Sequence, residues 1–177
     1  PVLTTRTGAG RITFAQLARA AFVPAAVAVV LVALDYRWAE MLGMQYRQLL
    51  PDAVGYKLWA DTLPADAERL GLPPWLMFYI RAFGVREPLW IFVVRWGFDL
   101  LGSSVFHLRL VSLTLSVAVV AGTLAFVSTR LGRVAGLLAA LLLAVNPAHV
   151  INSVQGLREE LGTLLFLGVI AVVCRRA

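Results

Sequence analysis

The ten acidic residues of this chain occupy only two windows. Asp35, Glu40, Asp52, Asp61, Asp66, Glu68, Glu87 and Asp99 fall between a first apolar run and a second, and Glu159 and Glu160 stand together much later. The other borders of the apolar runs carry arginine alone: Arg6, Arg11 and Arg19 at the start, Arg130 and Arg133 in the middle, Arg175 and Arg176 at the end. Loops rich in Lys and Arg stay on the cytoplasmic side of a membrane. The pattern therefore predicts a chain that crosses repeatedly, with both acidic windows on the far side and the chemistry there.

Composition supports a membrane class. The chain is 60% hydrophobic and 15% charged, against about 25% charged in an ordinary soluble domain. The net charge of +6 does not point to nucleic acid, because there is a single lysine and several of the arginines merely flank apolar runs. Cys174 is the lone cysteine, which removes an internal disulfide and a cysteine-based metal site from consideration.

The predicted fold is all-α and polytopic, with spans at about 14–34, 104–129, 134–151 and 157–174 and a long outer loop over 35–103. That loop holds all five tryptophans, Trp38, Trp59, Trp75, Trp90 and Trp96. Tryptophan favours the membrane–water interface, so the loop is expected to form short helices lying on the outer face. Pro88 to Leu101 is one of them: Pro88 suits a first helical position, Gly102 a stop. Its 14 residues fall short of the roughly 20 that a span needs. Arg95 and Asp99 sit four apart on one face of it. The start at Pro1 and the stop just after the fourth apolar run lead us to expect an N-terminal piece of a longer protein.

Several polar residues stand out. Asp52, Tyr56 and Ala60 share a helical face by their spacing, and the carboxylate near a helix start stays ionised; a helix cap is the plainer reading of Asp52. Arg86 and Glu87 open the helix at Pro88, where an arginine fork matches phosphate oxygens and a solvated helix start is the alternative. Arg109 lies inside the second span, and intramembrane charges mark function by default; snorkelling to the surface is the alternative. Arg158, Glu159 and Glu160 form the second acidic window or cap the fourth span. His107 and His149 are read as packing or interfacial residues. No P-loop, nucleophile elbow, zinc spacing or dinucleotide fingerprint occurs.

In order and spacing these residues resemble the N-terminal part of the GT-C superfamily of membrane glycosyltransferases. The closest likeness is to the branch of protein O-mannosyltransferases and lipid A aminoarabinose transferases. That branch has Pro-Asp-Glu-x-x-Tyr-x-x-x-Ala after its first span; here Pro51, Asp52, Tyr56 and Ala60 match, and Ala53 replaces the second acidic residue. A Lys-Pro-Pro-Leu type segment corresponds to Arg86-Glu87-Pro88-Leu89. A Phe-Gly pair near the helix end corresponds to Leu101-Gly102, and a Val-Arg-Leu type arginine to Leu108-Arg109-Leu110. The basic turn Arg130-Leu131-Gly132-Arg133, the proline of Asn146-Pro147 and the acidic Glu159 or Glu160 complete the pattern.

The resemblance covers nearly the whole chain and implies a partial GT-C fold. It implies transfer of a sugar from a polyprenyl-phosphate donor to an acceptor on the extracytoplasmic face. Asp52 and Glu159 would be catalytic, Arg86 and Arg109 would bind the donor phosphate, and Tyr56, Glu87, Arg158 and Glu160 would support them. A divalent cation belongs to some readings of the family's aspartate, and Ala53 leaves that requirement open. The bilayer and the lipid-linked donor are the implied partners; the acceptor is not named. A transporter or a non-catalytic membrane scaffold is the rival reading.

Overall fold

Seven helices follow one another in the computed structural model, which describes residues 14–44, 50–71, 73, 88–156 and 158–175. They are α1 (Phe14–Gly43), α2 (Pro51–Arg69), α3 (Pro88–Leu101), α4 (Val105–Leu131), α5 (Arg133–Val145), α6 (Pro147–Ser153) and α7 (Glu159–Arg175). No strand occurs among the described residues, so the expected all-α class holds.

Two stretches of helix are long and apolar enough to cross a membrane, Ala20–Gly43 and Val105–Leu131, and α5 with α6 makes a third if that bent pair is counted as one span. Their outward faces are what a lipid environment requires. Val23, Val27 and Leu31 on α1, Leu138, Leu141 and Leu142 on α5, and Leu165, Phe166 and Val169 on α7 are all exposed. Contiguous apolar surface of this kind marks a membrane or partner face.

Helix α4 is the axis of the bundle and touches α1, α3, α5, α6 and α7. It turns into α5 at Gly132, whose φ of 95° lies in the region glycine tolerates. Arg133 stacks over the Phe22 ring at 5.0 Å, which sets the start of α1 beside this turn. Gly122 of α4 meets Leu164 and Leu167 of α7. Thr129 and Arg130 line the same groove as Ala171, so α4 and α7 run side by side in one direction. Arg130, Arg133 and the end of α7 thus share one end of the bundle. Between α1, α4 and α5 a core of Val29, Ala33, Val120, Leu124, Ala140 and Ala144 is buried. The small residues in it let backbones approach closely, the usual device of helices that pack without a hydrophobic driving force.

At the opposite end α2 and α3 pack on each other and on the start of α4. Ala53, Tyr56 and Ala60 of α2 meet Trp90, Ile91, Val94 and Phe98 of α3 and Leu108 of α4. A Cβ added at Gly97 would come within 2.5 Å of Val111 Cγ2, so glycine there permits the crossing of α3 over α4.

Three boundaries differ from the sequence reading. The first span was expected to end at Leu34, but α1 continues to Gly43. The charges at Asp35 and Arg37 suggested an exit to water; Arg37 is instead fully buried and hydrogen-bonded within the bundle, so the helix has no reason to stop. The third span, expected over 134–151 as one helix, breaks at Asn146, and its halves α5 and α6 diverge by 63°. Pro147 takes the first position of the new helix, and the Asn146 side chain accepts from the backbone N–H groups of Ala148 and His149. The expected loop over 35–103 accordingly begins after α1, at about residue 44. Helix α3 starts and stops as expected.

The tightest approach of all lies in the α4–α5 hairpin. A Cβ at Gly136 would sit 2.0 Å from Ser128 Oγ and 2.8 Å from Ser128 N, the latter a backbone atom that cannot move aside. Gly136→Val should therefore push α5 off α4 and destabilise the bundle by about 1–3 kcal/mol or more. A thermal melt in detergent followed by circular dichroism checks this; an unchanged midpoint would contradict the contact.

Candidate functional site

The candidate site lies where the start of α2 approaches the start of α7. Helix α2 begins at Pro51 because proline's fixed φ and missing N–H suit a first helical turn, and Val54 N–H donates to Leu50 O at 3.0 Å. Asp52 is thus the second helical residue rather than the cap, exposed in the first turn, where the positive helix end favours a carboxylate. One turn on, Tyr56 is buried, 6.4 Å from Trp90 in an edge-on arrangement.

Several charges act on the Tyr56 phenol. Burial raises its ionisation above the ordinary phenol value, Arg158 pulls it down, and Asp52 and Glu159 push it further up. Leu161, at the start of α7, packs against the buried cluster that holds Ala53, Tyr56 and Ala60, so the starts of α2 and α7 meet, and charges from both acidic windows act on the Tyr56 phenol. Arg158 and Glu159 are exposed. An exposed carboxylate, a buried phenol and a guanidinium can together accept a proton, donate a hydrogen bond and hold an anion.

The remaining expected residues divide. Arg86 and Glu87 lie outside the described residues. Arg109 is 3% exposed, facing the protein interior and not lipid, and its Nη1 donates to Met44 O at the end of α1. A guanidinium at a helix C-terminus meets carbonyls left without intrahelical partners, so Arg109 ties α1 to α4. Glu160 does not join the exposed group: it turns inward, 3% exposed, with Oε1 3.0 Å from His149 Nδ1. Among the described residues no three His, Cys, Asp or Glu side chains gather as metal ligands.

Two participants escaped the sequence reading. Arg37 was passed over because α1 was taken to end before it; the same rule on intramembrane charge that singled out Arg109 would have flagged it once the helix was read through. His149 was taken as packing, and its pairing with Glu160 depends on the 63° break at Asn146, for which Asn146-Pro147 was the only signal.

A polar clamp keeps α2 in place above the bundle. Lys57 Nζ donates to Asp61 Oδ2 at 2.6 Å and to Ser103 Oγ at 3.0 Å, and Ser103 Oγ donates back to Asp61 Oδ1. Arg95 of α3 reaches Ala60 O at 3.4 Å and pairs with Asp99. The chain matches no known family model, no curated protein and no solved structure.

Burial alone would raise the Asp61 carboxyl, but the hydrogen bonds from Lys57 and Ser103 outweigh it and hold it below the usual value of 3.8. Its contribution is therefore fully present above that value and is lost as pH falls through the lowered one. Acidification below about pH 4 should loosen α2, by under about 1 kcal/mol because the pair is partly exposed. Asp61→Asn should loosen α2 at neutral pH and remove this acid dependence. Disulfide trapping between cysteines placed on α2 and α3, measured against pH, reads both; a wild-type yield that ignores pH would count against the clamp.

Proposed function

We propose that the protein is a membrane glycosyltransferase of the GT-C kind, moving a sugar from a polyprenyl-phosphate donor to an acceptor on the extracytoplasmic face. The observation that carries this reading is the packing of the α7 start, through Leu161, against the Tyr56 cluster of α2 and α3, at the end of the bundle opposite the arginines, where Asp52, Arg158 and Glu159 all act on the phenol. In this reading the arginine end is cytoplasmic. The chain crosses four times, through α1, α4, the bent pair α5–α6 and the short α7, while α2 and α3 lie on the outer face.

The chemistry follows from the side chains. Displacement at the anomeric carbon needs a base to take the acceptor's proton and positive charge to stabilise the departing phosphate. Asp52, exposed at the outer edge of α2, is the base toward the acceptor. Glu159 acts beside it on the α7 side. Arg158 is exposed next to Glu159, whereas Arg109 is in part committed to Met44 O. Arg158, by its exposure, joins Arg86 and Arg109 as a cation for the donor phosphate, with Tyr56, Glu87 and Glu160 in support. An apolar groove of about 280 Å³ between α3 and α4, lined by Trp96, Leu100, Leu110 and Val111, gives the prenyl tail a path beside the site.

One observation favours a transporter instead. The α5–α6 break and the buried charges of Arg37 and Glu160 are of the type that transporters use for substrate sites. The break is single among the described residues, and the sequence contains no internal repeat to pair with it.

The full chain in proteoliposomes, supplied with a radiolabelled polyprenyl-phosphate sugar, tests the assignment. Asp52→Asn should lower transfer by about 10²–10⁴-fold, the usual worth of a general base, without loss of helicity, since Asp52 is exposed. No transfer by the wild type, together with sugar or solute uptake into the vesicles, would favour the transporter.

A further inference from the structure

Four polar side chains from four helices meet inside the bundle. Arg37 of α1 is fully buried; its Nε donates to Ser116 Oγ of α4 at 2.7 Å, and its Nη1 donates to Ala33 O at 2.9 Å and Ala144 O at 3.1 Å. Ser116 Oγ lies 3.5 Å from His149 Nε2 of α6. His149 Nδ1 lies 3.0 Å from Glu160 Oε1 of α7. One assignment of protons satisfies every link. Arg37 donates to Ser116, the Ser116 hydroxyl donates to Nε2, and a neutral His149 bearing its proton on Nδ1 donates to the Glu160 carboxylate. The positive and negative ends of this chain balance without charging the histidine.

The consequence for α7 is specific. Glu160 is the only buried residue among the described side chains of α7; the rest are exposed or half-buried. Leu164 and Leu167 pack along α4 at Gly122, and Glu160 adds the one buried polar tie between α7 and the interior among the described residues. The start of α7 is therefore tied to the interior by one carboxylate, and the two residues just before it, Arg158 and Glu159, lie next to that anchor. We propose that Arg37, Ser116 and His149 are positioning residues for the site between α2 and α7. They hold Glu160 in the interior and, through it, hold Arg158 and Glu159 beside Tyr56 and Asp52. This rests on the assignment of that site as the functional one, but its test needs no turnover.

Arg158 and Glu159 both act on the Tyr56 phenol, which sits in the cluster that Leu161 of α7 packs against, so its titration responds to the position of the α7 start. A fluorinated tyrosine installed at position 56 of the full chain gives a ¹⁹F resonance whose pH titration can be followed in detergent. Arg158 is the stronger of the two α7 influences on Tyr56, so displacement of the α7 start should raise the titration midpoint. Arg37→Met and Glu160→Leu should each lower the phenolate-to-phenol ratio at fixed pH by about threefold, with helicity kept. His149→Leu should do the same. His149→Asn, which can still donate to Glu160, should stay near wild type. If Arg37→Met does not fold, the double variant Arg37→Met/Glu160→Leu removes both interior charges together and should fold with the same raised midpoint. An unmoved midpoint in the folded Glu160→Leu or double variant overturns the proposal. The outcomes separate from those of the transferase reading: a raised midpoint with transfer unaffected by Asp52→Asn keeps the positioning network and sinks that reading, and the converse result does the reverse.

Discussion

The buried guanidinium of Arg37 is the constraint around which the bundle is arranged. A lone cation at this depth would cost several kcal/mol even after relaxation, and the helix that carries it is one of the two most suited to cross a membrane. The cost is offset by acceptors from three helices: Ala33 O on α1, Ser116 on α4 and Ala144 O on α5. Ala144 O is one of the last carbonyls of α5, and the helix breaks two residues later at Asn146. The same break that leaves a carbonyl open to Arg37 turns α6 aside and carries His149 toward Glu160. The bend, the buried cation and the buried carboxylate are thus one arrangement, and removing any part leaves the others with uncompensated polar groups.

That arrangement also sets the heights of the helices. Ser116 lies roughly 21 Å along α4 from Arg130, at about 1.5 Å per residue. Helix α7 begins level with this point, because Glu160 is tied to it, and runs down beside α4 to the arginine end. Its 17 residues span roughly 26 Å, against roughly 40 Å for α4. The upper part of α4 is consequently not covered by α7. It is covered by α3, crossing closely at Gly97, and by α2 resting on α3 through Tyr56 and Trp90. The Lys57–Asp61–Ser103 clamp fastens α2 to the turn before α4, and Arg109 ties α4 to the end of α1.

Much of the local structure was legible in the sequence because it has local causes. Pro88 and Gly102 delimit α3; Gly132 between two arginines marks the α4–α5 turn; charge signs and apolar lengths mark the long helices. The likeness of Asp52, Tyr56 and Ala60 to one helical face also held, since it needs only the 3.6-residue repeat. The errors arose where tertiary contacts decide. Asp35 and Arg37 look like an exit from the apolar phase unless one knows that Ser116 and Ala144 are waiting for the guanidinium. Asn146-Pro147 within an apolar stretch is compatible with a gentle kink, since membrane helices tolerate proline, and the 63° turn is chosen by partners elsewhere. The inward rotation of Glu160, next to the exposed Glu159, cannot be read from two adjacent glutamates.

That last distinction shapes the chemistry we assign. Adjacent helical residues point about 100° apart, so one helix start can supply an interior anchor and an exposed charge at once. Glu160 takes the first role with His149 and Ser116; Glu159, with Arg158 before it, takes the second beside Tyr56. The Tyr56 phenol, raised further by burial, is neutral at ordinary pH, able to donate a hydrogen bond rather than add a third negative charge to those of Asp52 and Glu159. A proposed donor phosphate would then meet Arg158 and a neutral phenol, while Asp52, on the exposed edge of α2, remains open to the acceptor. On this proposal the interior network holds the start of α7, and with it Arg158 and Glu159, against the start of α2, which is why a residue as remote in sequence as Arg37 belongs to the description of the site.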